Sequence, residues 1–239
     1  MKGVLLDIEG TTTPIDFVYK RLFPYARARI KSYLAGHLLD EDVRSIILEL
    51  YEEHAKDTRA GLNPPLLAGA SSEPRVEAVA DYALWLMDLD RKSTPLKALQ
   101  GRIWEEGYAS GELVSQVFAD VPAALARWSE AGKDLRIYSS GSELAQRLLF
   151  SNTEAGDLTR YIRGYFDTKT GPKREAETYR RISEAFQLSP RDILFISDVV
   201  AELDAARGAG FETMLAIRPG NHPQPEESGH ITITSFDQL

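Results

Sequence analysis

The sequence contains no cysteine among its 239 residues. That excludes disulfides, thiolate nucleophiles and cysteine-based metal sites together. It also lacks any run close to the roughly 18 consecutive apolar residues of a membrane helix. The apolar start, MKGVLLDIEG, is broken by Asp7 and Glu9. A secretory signal needs a longer apolar stretch and a small-residue cleavage site, so a cytoplasmic protein is expected. A basic excess is missing as well. With 36 acidic and 28 basic residues the net charge is −8, whereas nucleic-acid and anionic-membrane surfaces call for a basic footprint. Neither partner is expected. The four histidines, His37, His54, His222 and His230, are dispersed without metal-ligand spacing and read as solvated or structural.

What is present is an ordinary globular composition, 43% hydrophobic and 27% charged, long enough for one large domain or a core with an insert. Residues 3–8, GVLLDI, form a short apolar run ending in an acid, the pattern of a buried parallel strand. Similar runs are Leu135–Tyr138, Ile193–Ile196, Met214–Ile217 and Ile231–Ile233. Between the later runs lie helical stretches at Ser142–Phe150, Arg174–Phe186 and Val199–Arg207, the last stopping at Gly208 and Gly210. Alternating strands and helices predict an α/β fold with a parallel sheet. Residues from about 17 to about 120 hold no strand run. They carry four helical segments, Phe17–Ala35, Glu41–Asp57, Glu73–Asp90 and Pro95–Tyr108, with a loop at Thr58–Ser72. The expected organisation is a core of residues 1–16 plus 121–239, with a helical cap, 17–120, inserted after the first strand.

Chemistry concentrates at strand ends. Asp7 closes a buried run, where an unpaired carboxylate costs several kcal/mol, and the carboxyl ends of strands in an open α/β sheet are where ligands bind. Glu9 follows two residues later, in a turn that Gly10 permits. Such a carboxylate pair suits Mg²⁺, which takes one or two carboxylates and keeps waters and phosphate oxygens. Asp198 ends another apolar run, with Glu202 one helical turn beyond it; a helix cap at Ser197 or Asp198 explains that segment equally well. The run at Ile137–Tyr138 enters Ser139-Ser140-Gly141-Ser142, a helix start whose N–H groups and hydroxyls can bind phosphate or merely cap the helix. Lys173 sits in a Gly-Pro-Lys turn and, taken alone, is an ordinary lysine.

The order Asp-x-Glu, strand–Ser, Lys, strand–Asp resembles the four motifs of the haloacid dehalogenase (HAD) superfamily. DIEGTTTPIDFV, IYSSGS, GPK, LFISDV and IRPGN resemble, more narrowly, the enolase-phosphatase (acireductone synthase) family of methionine salvage, and LKALQGRIW and EEGY extend the likeness into the insert. Glu9 stands where most phosphatases of the superfamily carry Asp, which fits the enolase-phosphatase branch.

This resemblance implies an HAD-like Rossmannoid core and one Mg²⁺ per chain, ligated by the Asp7 and Asp198 side chains and the Glu9 backbone carbonyl. It implies Asp7 as nucleophile, Glu9 as general acid/base, and Ser139, Ser140 and Lys173 as substrate-binding residues. Lys173 would also screen Asp7 from Asp198. The implied reaction converts 2,3-diketo-5-methylthiopentyl 1-phosphate to the acireductone plus phosphate through an aspartyl phosphate. For enolisation the base is Glu9 or an acid of the insert such as Glu105. The insert would act as a lid, with Lys97 and Gln100 as its binding candidates. The expected partner is this small phosphorylated diketone, and the chain is expected to be a monomer. Three other readings stand beside this one. They are another HAD phosphomonoesterase or phosphomutase, a dehalogenase needing no Mg²⁺, and a non-catalytic phosphate-binding protein on the same fold. The segment Arg218–Asn221 resembles a family segment, and turn chemistry accounts for it as well.

Overall fold

A computed structural model describes residues 1–67, 75–223 and 228–239. Parts of the expected loops Thr58–Ser72 and Arg218–Gly229, and Glu73 at the start of an expected helix, lie outside the described residues. The chain divides into two compact units, Met1–Arg21 with Gly111–Leu239, and Leu22–Ser110. The unit boundaries therefore fall a few residues inside the 17–120 insert read from sequence.

In the first unit the described strands form one parallel sheet in the order β3-β2-β1-β4-β5-β6. The strands are β1 (Gly3–Leu6), β2 (Asp134–Tyr138), β3 (Gly164–Phe166), β4 (Ile193–Ser197), β5 (Glu212–Ala216) and β6 (Ile231–Ile233). β1 and β4 are buried along their whole length, as expected of central parallel strands covered on both faces. The register pairs Leu6 with Ile137 on one side and with Ile196 on the other. The carboxyl ends of β1, β2 and β4 therefore lie side by side.

The sheet's helices are α6 (Val121–Glu130), α7 (Glu143–Ser151), α8 (Ala176–Phe186) and α9 (Val200–Gly208), with a short α1 (Ile15–Phe17) after β1. In α8, Tyr179, Ile182 and Phe186 recur at three- and four-residue spacing and pack with Leu5, Tyr138, Phe195 and Phe211 in one core. Two elements were not read from the sequence. β3 is only three residues long, too short for a periodicity signal, and α6 opens with a proline at its first turn.

The second unit holds α2 (Phe23–Gly36), α3 (Glu41–Arg59), α4 (Val76–Asp88) and α5 (Thr94–Ala109). The buried Asp57 of α3 accepts hydrogen bonds from Tyr82 Oη at 2.7 Å and Arg91 Nη2 at 2.9 Å. Ser93 caps α5 by accepting from the Leu96 N–H at 3.2 Å. Gln100 is buried within this unit, and Glu105 accepts from Arg102 on the same helix.

Candidate active site

β1 ends at Leu6, and Asp7 is the first residue beyond it. The Asp7 N–H still donates to Ile196 O at 3.0 Å, extending the ladder by one rung. The chain then turns sharply. The carbonyl of Ile8 accepts from the N–H groups of Thr11, Thr12 and Thr13 at 3.1, 2.9 and 2.9 Å. The Thr12 hydroxyl reaches the Asp7 and Ile8 carbonyls, each at 3.2 Å. Gly10 carries this turn with φ +72°. A β-carbon there would overlap the Asp198 carboxylate and lie 2.9 Å from Asn221 Oδ1, so both the conformation and the space require glycine. Asp7 is 3% exposed; Glu9, two residues on, is half-buried and bridges to Thr13.

Lys173 supplies the counter-charge. Its Nζ lies 2.6 Å from Asp7 Oδ1 and 2.6 Å from Glu202 Oε2. The lysine turn is held from two elements, since Tyr138 Oη donates to Gly171 O at 2.9 Å and Tyr179 Oη to Lys173 O at 2.7 Å. Burial pushes the Lys173 ammonium down, but the Asp7 and Glu202 carboxylates outweigh it and hold the group above its ordinary range. Glu202 is pushed up by burial and by Asp7, and also accepts from Ser197 Oγ at 3.2 Å. Asp198 is pushed up to about 7, first by burial and then by Asp7 and Glu202. Two buried carboxylates thus meet one ammonium, and the buried Asp198 feels the same charges, a surplus of acid over base.

Asp198 does not cap the following helix. The N-cap position is Val199, and its N–H donates to Ser197 Oγ at 3.1 Å. At the β2 end the capping reading holds. Ser142, rather than Ser140, is the N-cap of α7, accepting from the Ala145 N–H. Ser139, 2% exposed, accepts from the Gly141 N–H at 3.1 Å, which folds Ser139-Ser140-Gly141 into a turn. Gln146 pins that turn by donating from Nε2 to Gly141 O and Phe166 O, each at 2.8 Å.

The structure therefore joins Asp7 and Lys173 directly, sets Asp198 against Gly10 of the same turn, and brings Ser139 and Ser140 to the adjoining strand end. Ser139 bonds to its own turn. Glu202 was visible in the sequence one helical turn after Asp198, but its bond to Lys173 spans 29 residues and has no local signal. Arg218 and Asn221 stand in the segment that resembles the family and that turn chemistry also explains; their contacts with Gly10 and Thr11 have no local signal. His37, His54 and His230 are tied to Tyr33 O, Pro65 O and Thr213 Oγ1 respectively, structural contacts.

Among the described residues no three His, Asp or Glu side chains converge as a closed metal cage. The donor set nevertheless fits a hard divalent cation that keeps part of its water shell. Asp7 and Asp198 are buried carboxylates in a cluster whose acids outnumber its one ammonium. Asn221 Oδ1 beside them is a buried acceptor without a hydrogen-bond partner among the described residues.

A strand-end aspartate paired with a turn lysine, flanked by a serine turn and a second acid, is the arrangement of one hydrolase class. The chain belongs to the haloacid dehalogenase-like hydrolases, whose family model matches residues 1–210. Within that family it is similar to enolase-phosphatases. It is 52% identical over 236 residues to enolase-phosphatase E1 of Synechococcus elongatus, covering 99% of this chain and 96% of that protein. The enolase-phosphatase E1 of Leptospira borgpetersenii is 46% identical over 235 residues, covering 98% and 96%. Among solved structures, the UTR4 protein of Saccharomyces cerevisiae superposes with a TM-score of 0.80 at 34% identity, over 100% of this chain and 99% of that one.

Proposed function

We propose that this chain is a Mg²⁺-dependent enolase-phosphatase of methionine salvage, with Asp7 as its nucleophile. The substrate is 2,3-diketo-5-methylthiopentyl 1-phosphate, and the products are the acireductone and phosphate. The observation that carries the reading is the buried Asp7 carboxylate, bound on Oδ1 by Lys173 and followed two residues later by Glu9, in a chain so similar to enolase-phosphatases over its length.

The roles follow from charge and position. Asp7, with one oxygen anchored to Lys173, attacks phosphorus with the other and forms an acyl phosphate, dividing one difficult displacement into two. Lys173 keeps its proton throughout and offsets charge on the transferring phosphoryl group. The Ser139–Ser140 turn and the α7 N-terminus bind phosphate oxygens. Glu9 moves protons: it removes one from the carbon beside the ketone during enolisation and serves the leaving oxygen and the attacking water during hydrolysis. Asp7, Asp198 and the Glu9 carbonyl hold Mg²⁺, which when bound removes repulsion between nucleophile and phosphate. The enzyme acts as a monomer in the cytoplasm; among the described residues no helix is long and apolar enough to cross a membrane.

The test mixes purified protein, Mg²⁺ and the diketo phosphate and follows enol absorbance and free phosphate together. Enol formation preceding phosphate release is expected. Phosphate release with no enol intermediate would leave an ordinary HAD phosphomonoesterase.

A further inference from the structure

The connection after β5 grips the nucleophile turn with two side chains. Asn221 Nδ2 donates to Gly10 O at 2.9 Å and to Ala216 O at 3.3 Å. Arg218 Nε donates to Thr11 O at 3.1 Å. Two successive carbonyls of the turn that follows Glu9 are thus held from one short segment. Arg218 is itself fixed: its Nη1 lies 2.9 Å from Asp120 Oδ2, and its guanidinium covers the rings of Phe118 and Phe236. The Asn221 N–H donates to Arg218 O at 3.1 Å, which closes the segment on itself.

The amide orientation of Asn221 is determined by these contacts, because reversing it would set Oδ1 against two carbonyl oxygens. Its Oδ1 then points to the space above Gly10. That atom is buried and has no hydrogen-bond partner among the described residues. A β-carbon at Gly10 would touch both Asn221 Oδ1 and the Asp198 carboxylate, so the two acceptors border one small space kept open by the glycine. A buried acceptor left unbonded costs about 1–3 kcal/mol, and what can satisfy both is a donor. A cation's water shell is made of donors.

We propose that Asn221 is a positioning residue of the cation site, fixing the Glu9–Gly10 backbone through its amide N–H groups and accepting a hydrogen bond from the cation's water shell through Oδ1. The inference rests on the proposed Mg²⁺ site. It explains why the segment after β5 carries a carboxamide where turn geometry alone asks only for a turn-former: Asn221 serves both faces of the nucleophile turn. Groups that support ligands in this way typically change metal affinity by about 10–100-fold when removed.

The experiment is a calorimetric Mg²⁺ titration without substrate on the full-length wild-type chain, Asn221→Leu and Asn221→Asp, with metal-free melting temperatures alongside. Both variants lose the N–H donors, whereas Asn221→Asp keeps an acceptor oxygen. The expected result is that Asn221→Leu weakens Mg²⁺ binding about tenfold or more, while Asn221→Asp, which loses the N–H donors but keeps an acceptor, weakens it clearly less. If both variants melt earlier yet bind Mg²⁺ like wild type, Asn221 is only a structural tether and the proposal fails. If both weaken binding equally, the acceptor role fails. If Asn221→Leu does not fold, Asn221→Ala replaces it in the same comparison, with the same outcomes. A wild-type chain that binds no Mg²⁺ overturns the cation reading itself, a result distinct from the others.

Discussion

Lys173 Nζ sits 2.6 Å from Asp7 Oδ1 although the two residues are 166 positions apart in sequence. The same ammonium is 2.6 Å from Glu202, so a single cation offsets two buried carboxylates. Removing it should be far costlier than removing a surface charge. Lys173→Met is expected to destabilise the protein by about 3–5 kcal/mol near neutral pH, the usual cost of leaving a buried charge without its partner. The loss should shrink as pH falls, because Glu202 is already held above its ordinary range and its protonation removes a charge that Lys173 offsets. Adding Glu202→Gln to Lys173→Met should recover part of the stability at neutral pH. Urea unfolding of the three proteins across the acid range measures this. A pH-independent loss would show that the pair is not charged as described.

Asp198, pushed up to about 7, binds its proton more tightly folded than unfolded. Its contribution to stability is therefore fully present below about pH 4 and lost as pH rises through about 7. Metal-free protein should melt progressively earlier across that window, and Asp198→Asn should flatten the dependence. Binding of Mg²⁺ requires the ionised carboxylate and so should release a proton and strengthen on the order of tenfold between about pH 6 and pH 8. Titrations in buffers of different ionisation enthalpy read the proton count directly. Equal affinity and no proton release at both values would contradict the Asp198 assignment.

Gly10→Ala places a β-carbon against Asp198 and Asn221 at φ +72°. The strained backbone alone costs about 1–3 kcal/mol, and the displaced carboxylate adds a loss of activity. A fall in melting temperature together with at least about a tenfold fall in kcat/KM is expected; unchanged kinetics would show that the space above Gly10 has no part in the reaction.

Much of this site was legible before any coordinates. Asp7, Ser139 and Asp198 stand out because each follows closely on a largely apolar run, and parallel strands buried on both faces write such runs plainly. β3 was not legible: Gly164–Phe166 is three residues with one fully buried side chain, below any periodicity. Lys173 carried meaning only through its order among the other motifs. Its grip on Glu202, and the hold of Asn221 on Gly10 across 211 positions, depend on strand order, which sets β4 beside β1 and β5 beside β4. Local pattern contains no trace of such pairings, and turn-forming chemistry at Arg218–Asn221 concealed the bonds these residues make to Gly10 and Thr11.

The central claim is that Asp7 becomes covalently phosphorylated. Asp7→Asn should fold and lower turnover by roughly three orders of magnitude or more, but loss of activity alone does not identify the nucleophile. The direct measurement is rapid quenching of wild-type enzyme with substrate, followed by borohydride reduction and peptide mass analysis. Homoserine at position 7, absent from Asp7→Asn and from enzyme quenched without substrate, is the expected result. An unmodified Asp7 during steady turnover, or reduction at any other carboxylate, would contradict the account.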